Sequence, residues 1–288
     1  MTRAGCAFSL PIDERMHSIQ RVYLILIISL IIPTADIRAT GNYPQPDTVR
    51  IAAQSAADSA MPKVPQPDFS VSFGADLLSS YILRGLPLRL QPVISPNFLV
   101  SYKNLSLGAF SVFDFEKSKA NLLTAWTAYL GYTVRTEEYG SVLLALQDNY
   151  PALLRNFEPR LTNTKGGGYG DHVPELLAIY NGPASFPLRL FVVTSLYNDP
   201  VNSWYIEPGY VIRHADMTYR LFCGILLTPE SEWYFARKPG IANLGAMAIK
   251  TVRFSDSFSI PFRCSVIYNG VSDQTDRVYI VFGAGIQL

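Results

Sequence analysis

The sequence predicts an all-β chain, closed into a transmembrane antiparallel up-and-down β-barrel of about 12 strands. Three observations carry this expectation. From Phe69 onward the residues alternate apolar and polar, segment after segment, so one face of each strand meets an apolar phase and the other a wetter one. The segments run to about 8 to 15 residues, whereas a tilted membrane strand needs roughly 9 to 11 and a soluble sandwich favours about 5 to 6. The connections also sort by length. Lys103-Asn104, Glu137 to Gly140, Asn181 to Phe186, His214-Ala215-Asp216 and Ser255-Asp256 are tight, and the long Pro151 to His172 and Pro229 to Gly240 fall between them. Counted from an inner-side amino terminus, the tight turns share the periplasmic rim, as in outer-membrane barrels.

Ahead of the barrel, Val22 to Pro33 is an apolar run preceded by Arg21 and followed by the small-residue site Ile37-Arg38-Ala39. It is too short for a spanning helix, which needs roughly 20 apolar residues, so residues 1–39 read as a signal peptide. Met16 offers an alternative start that omits the charged Asp13-Glu14-Arg15. Residues 40–68, rich in Pro, Ala, Ser and Asp, read as a periplasmic linker, with a plug entering the barrel as the alternative. A chain that is 49% hydrophobic is too apolar for disorder, and a net charge of +1 gives no field that would gather nucleic acid.

The first strand is expected from Phe69 to about Arg84. Phe69, Val71, Phe73, Ala75, Leu77, Tyr81 and Leu83 share one parity, opposed by Ser70, Ser72, Gly74, Asp76, Ser80 and Arg84. Only Leu78, Ser79 and Ile82 break the split. Strands follow near 92–102, 105–116, 121–135, 140–150, 174–181, 187–198, 203–213, 217–228, 241–251 and 257–268. The last runs from Arg277 to Leu288, with Val278, Ile280, Phe282, Ala284 and Ile286 outward. Segments 140–150 and 241–251 do not assign cleanly: Gln147 and Asp148 have opposite parity, as do Asn243 and Lys250. A bulge or a snorkelling end-of-strand lysine is therefore needed. Aromatics on the outward parity near strand ends, namely Tyr81, Tyr102, Tyr132, Trp204, Tyr210, Tyr219 and Tyr268, suit girdles at the headgroup level.

Ser80 to Leu86 (SYILRGL), with Gln91-Pro92 and the glycine-containing LSLGAFSVFDF after it, resembles the opening of the TorF family of outer-membrane porins. HVPELLAIY at 172–180, Leu196 to Asp199, YIEPGY at 205–210 and Phe258 to Pro261 resemble the same family's later strands. The resemblance covers most of residues 69–288 and implies a barrel in the bacterial outer membrane; the family label adds porin activity.

By parity the interior holds Asp76, Arg84, Glu175, Arg189, Glu207, Arg220, Arg263 and Arg277, with Tyr129, Phe191, Tyr197, Tyr205, Phe222 and Tyr279 narrowing the bore. Charge on the lipid face would cost roughly 2 to 4 kcal/mol per arginine at the midplane, which is why these residues are placed inside. Such a belt is either a selectivity constriction or a structural ion-pair network. Arg84 and Arg277 are expected near the outer mouth on strands made neighbours by closure, which would favour anions in an open bore.

A catalytic reading has little to stand on. His172 and His214 are expected at opposite rims, and a base must lie within hydrogen-bond reach of its nucleophile. The run Lys165 to Gly170 (KGGGYG) fits no phosphate-loop spacing. Cys223 and Cys264 lie on strands two apart, beyond disulfide reach and unsuited to a metal site. No enzyme activity, metal or cofactor is expected. The chain is expected to contact outer-membrane lipid and to pass small polar solutes as a passive channel. The alternatives are a non-conducting structural or surface-binding barrel using loops 151–173 and 229–240, with Trp233, Tyr234 and Phe235 offered for contact, and an outer-membrane lipid hydrolase.

Overall fold

The structure, a computed structural model, describes residues 68–115, 123–150, 171–231, 233–255, 258–271 and 277–287. The expected signal peptide, nearly all of the linker and the KGGGYG run lie outside the described residues. Fourteen strands follow in order: β1 (Phe69–Leu78), β2 (Tyr81–Leu83), β3 (Leu86–Arg89), β4 (Val93–Tyr102), β5 (Leu105–Asp114), β6 (Leu123–Thr136), β7 (Gly140–Tyr150), β8 (Val173–Asn181), β9 (Leu188–Ser195), β10 (Trp204–His214), β11 (Met217–Leu226), β12 (Gly240–Arg253), β13 (Ser259–Tyr268) and β14 (Val278–Gln287).

Twelve of them form a closed antiparallel barrel in which each strand pairs with its neighbours in sequence and β1 pairs with both β4 and β14. The remaining two, β2 and β3, pair only with each other. Closure leaves no long unpaired edge. Two-residue turns at Lys103-Asn104 and Ala215-Asp216 put Lys103 and Ala215 at φ 51°, the left-handed conformation that tight hairpins require. These and the other tight turns share one end of the barrel, here the turn rim; the longer connections share the other, the loop rim.

Alternation holds along the wall. Phe73, Leu107, Leu130, Leu144, Leu176, Leu221, Val266, Ile280 and Phe282 all point outward, with 48% to 59% of their surface exposed. Tyr102, Tyr132, Trp204, Tyr210, Tyr219 and Tyr268 are likewise on the outer face. Burying apolar groups elsewhere in a chain while baring this many on one continuous band is the reverse of the pattern of a water-soluble surface.

Three departures from the sequence pattern have physical causes. The first strand stops at Leu78 rather than running on to Arg84. Ser79 ends it by closing onto β14: its N–H donates to the Phe282 carbonyl at 2.8 Å and its Oγ accepts from the Phe282 N–H at 2.9 Å. The chain then turns inward, so Tyr81, expected in an outer girdle, is fully buried. In β12 the register shifts opposite Gly224 and Ile225, whose partners are Asn243 and Ile241. Ala242 is therefore an unpaired bulge residue, and both it and Asn243 face inward. Lys250, at the turn-rim end of the same strand, faces out and pairs with exposed Asp216 at 3.3 Å. In β7 the ladder is unbroken and the parity is real: Gln147 is inside and Asp148 outside.

Candidate functional site in the barrel interior

The hairpin Tyr81–Arg89 occupies the loop-rim half of the barrel. Its tip is Arg84-Gly85, with φ of 51° and 86°. Glycine is required at the second position, because a Cβ there would run into the backbone of Ala242. Tyr81, Leu86 and Leu88 pack with Val93, Phe110, Val112, Tyr129, Leu177, Phe191 and Tyr205 in one apolar cluster. The β11–β12 connection joins the same cluster through Trp233, Tyr234 and Ala236. Trp233 and Tyr234 thus fold into the barrel instead of being offered to a partner, and of the trio only Phe235 is exposed. Ser231 holds this turn, accepting the Tyr234 N–H at 3.2 Å and meeting Ser203 Oγ at 2.5 Å.

At the centre of this fill, Arg84 Nη1 and Nη2 donate in parallel to Glu175 Oε1 and Oε2 at 2.8 and 2.7 Å. Arg84 also donates to the Tyr234 hydroxyl at 2.9 Å, and its guanidinium lies 5.4 and 5.9 Å from the ring centres of Phe191 and Tyr205. Glu175 Oε2 further accepts from Gln147 Nε2 at 2.5 Å and Asn149 Nδ2 at 2.7 Å. Planar, bidentate pairing with extra donors is the geometry that best offsets burying two charges. Burial opposes the charge on Arg84, but Glu175 and then Tyr234 outweigh it and hold the guanidinium pKa above its ordinary value. Burial pushes the Tyr234 hydroxyl well above the usual tyrosine value, against the opposing influence of Arg84. Asn269 Nδ2 fixes the hairpin tip by donating to the Gly85 carbonyl at 3.0 Å.

A second group sits on β9, β10, β11 and β12. Glu207 pairs with Arg220 through Oε1, while its Oε2 accepts from the Tyr205 hydroxyl at 2.5 Å and from Asn243 Nδ2 at 2.8 Å. Arg189 approaches Glu207 Oε1 at 3.6 Å. A third pair, Asp76 with Arg263, joins β1 to β13 across β14. A fourth, Arg89 with Asp114 at 2.5 Å, ties the hairpin to β5.

Of the eight interior residues expected from parity, Asp76, Arg84, Glu175, Arg189, Glu207, Arg220 and Arg263 are buried in the interior and grouped as described. Arg277 is not buried: it precedes β14 at the loop rim, where its carbonyl accepts the Asn269 N–H at 2.8 Å, and its side chain is exposed. Arg84 and Arg277 therefore do not form an outer-mouth pair. Tyr197, also expected inside, is exposed because β9 ends at Ser195. Sequence reasoning missed Tyr234, Asn243, Asn149 and the Arg89–Asp114 pair. Asp114 and Asn149 had the right parity, whereas Arg89 and Tyr234 lie in connections where parity has no meaning.

Toward the turn rim the interior changes character. Ser70, Ser72, Asn97, Ser101 and Thr251 face inward there and are only partly buried, so this side of the interior is polar and reached by solvent. A recess of about 360 Å³ at the loop rim is lined by Glu230, Ser231, Phe235, Ala236 and Arg237.

His172 lies at the loop rim with Nδ1 2.7 Å from Asp148 Oδ2, flanked by Trp126 and Tyr150. His214 ends β10 at the opposite rim. Cys223 and Cys264 are free thiols. Among the described residues there is no cluster of three or more His, Cys, Asp or Glu able to hold a metal. Neither models of known protein families nor curated proteins match this chain.

Proposed function

We propose that this chain is a bacterial outer-membrane barrel of the TorF kind whose interior is closed in its resting state, so that it acts as a non-conducting structural or surface-binding barrel. The outward apolar band, flanked by tyrosines and a tryptophan, supports membrane residence. One observation carries the closed reading: the Arg84–Glu175 pair lies within an apolar fill supplied by the chain's own hairpin and by the Tyr234 turn. Water and solutes would have to break a desolvated bidentate ion pair to pass, a step costing several kcal/mol. The passive channel for small polar solutes is the second reading, favoured by the solvent-reached Ser, Asn and Thr wall at the turn rim.

Purified protein in a planar bilayer tests both. The closed reading expects a silent wild type and discrete conductance steps once Tyr81–Arg89 is replaced by a short Gly-Ser linker. Steady conductance of the wild type would refute it in favour of the passive channel. Silence of both proteins would leave a barrel sealed by more than its hairpin.

A further inference from the structure

We infer that Arg189 and Arg220 form a subsite for a small monovalent anion, a halide or carboxylate, reached from the turn rim. The inference deepens the proposed function in one respect, since it rests on an interior wetted from that end. Its basis is an imbalance in hydrogen bonding. Arg189, on β9, lies opposite Gly209 of β10, and Arg220, on β11, lies opposite Val211; Gly209 has no side chain to fill the space toward Arg220, whose Nε would be 3.8 Å from a Cβ there. Both approach the same carboxylate oxygen, Glu207 Oε1. Glu207 is already engaged by nearer donors: Oε1 serves Arg220, and Oε2 serves the Tyr205 hydroxyl and Asn243. Arg189 stands off at 3.6 Å, and its Nη1, although buried, makes no hydrogen bond.

Within this trio one carboxylate faces two guanidinium groups, and the Arg189 Nη1 donor is the one left over. An orphaned buried donor costs about 1–3 kcal/mol, more for a charged group, and an acceptor anion supplies what Glu207 cannot. The flanking rings favour a small ligand. Phe191 lies 5.9 Å from the Arg189 guanidinium and Phe222 5.1 Å from that of Arg220, so both cations are held from one side by aromatic faces. Val211 and Thr218, one step nearer the turn rim on the same inner face, are only partly buried and leave a way in. The neighbouring charge pair, Asp76 with Arg263, is balanced and belongs to other strands.

The test uses the full chain in detergent micelles with bromide as probe. Excess broadening of the bromide NMR line, and an anomalous peak beside Arg189 in crystals grown in sodium bromide, are expected. Formate should compete both away. Arg189→Met should weaken binding roughly tenfold or more, the loss of one charged hydrogen bond, and Arg189→Lys should retain part of it. Glu207→Gln should strengthen binding, because it removes the competing negative charge; a merely structural trio would not give this sign. Absence of excess broadening in the wild type, or broadening untouched by Arg189→Met, or binding weakened by Glu207→Gln in protein that still shows barrel circular dichroism, would overturn the proposal. If Arg189→Met does not fold, Arg189→Lys and Glu207→Gln decide. Conductance plays no part in this readout, so failure of the closed-barrel reading and failure of the subsite are separable.

Discussion

Tyr205 of β10 lies across Gly224 of β11, with its hydroxyl carried to Glu207 on its own strand at 2.5 Å. A Cβ on Gly224 would be 2.5 Å from Tyr205 Cζ. The same device recurs at Gly245, where a Cβ would come within 2.6 Å of Phe222 Cζ. Glycines on the inner wall thus make room for rings from neighbouring strands. Gly224→Ala should destabilise the barrel by about 1–3 kcal/mol, the usual cost of overpacking, and detach Tyr205 from Glu207. Urea unfolding followed by tryptophan fluorescence checks it. A gain in stability, which Gly→Ala gives at roughly 0.4–1 kcal/mol where space allows, would show that the ring is not confined.

Glu175→Leu leaves the buried Arg84 cation without its carboxylate and should cost about 3–5 kcal/mol. Combining it with Arg84→Met should recover most of that loss, since apolar residues of similar volume often replace a buried pair at little cost. A double-mutant cycle in unfolding free energy makes the comparison. Additive losses would mean that the two side chains are held independently.

Leu144 lies at mid-length on the outer face of β7. Leu144→Arg should lower stability in phospholipid vesicles by about 2–4 kcal/mol, whereas Glu138→Arg in the adjoining exposed turn should stay within about 0.5 kcal/mol. Equal, small effects at both positions would place the band in water rather than lipid.

Tyr234 is held neutral by burial, with its folded-state pKa raised above the unfolded value of about 10. Its contribution to stability is therefore complete below pH about 10 and declines as the pH rises toward the folded value, because the unfolded chain releases the proton first. Stability measured between pH 9 and 11 should fall less steeply in Tyr234→Phe than in the wild type. Identical slopes would mean that the hydroxyl ionises as freely folded as unfolded.

Period-two alternation fixes which side of a wall a residue occupies, and so β4 through β14 are legible to within about three residues at each end, with the facing of 140–150 and 241–251 left open. Parity alone places Tyr129, Phe191 and Glu207 inside, where they are buried. The hairpin was hidden because Tyr81, Leu83 and Arg84 continue the parity of β1 across a break. The only trace of it was the misfit at Leu78, Ser79 and Ile82, and Ser79 is where β1 hands over to the turn. Parity places Arg84 in the interior as a strand residue, and it reaches the interior instead as a turn residue at φ 51°. Partner choice was not legible. Parity places Glu175 and Glu207 inside alike, but only the depth of each strand and the path of the hairpin decide which arginine each one meets.

The pairing of β1 with β14 rests on five Cα partners, Gly74 with Gln287 through Leu78 with Gly283, against ten between β1 and β4. This junction joins the first and last strands of the wall, so its loop-closure entropy is the largest and its return the smallest. The cylinder should therefore seal last along this line. The hairpin leaves β1 immediately beyond it, at Ser79, and so travels with the first strand made. Its filler is in place before the wall is complete, and no segment has to be threaded through a finished ring.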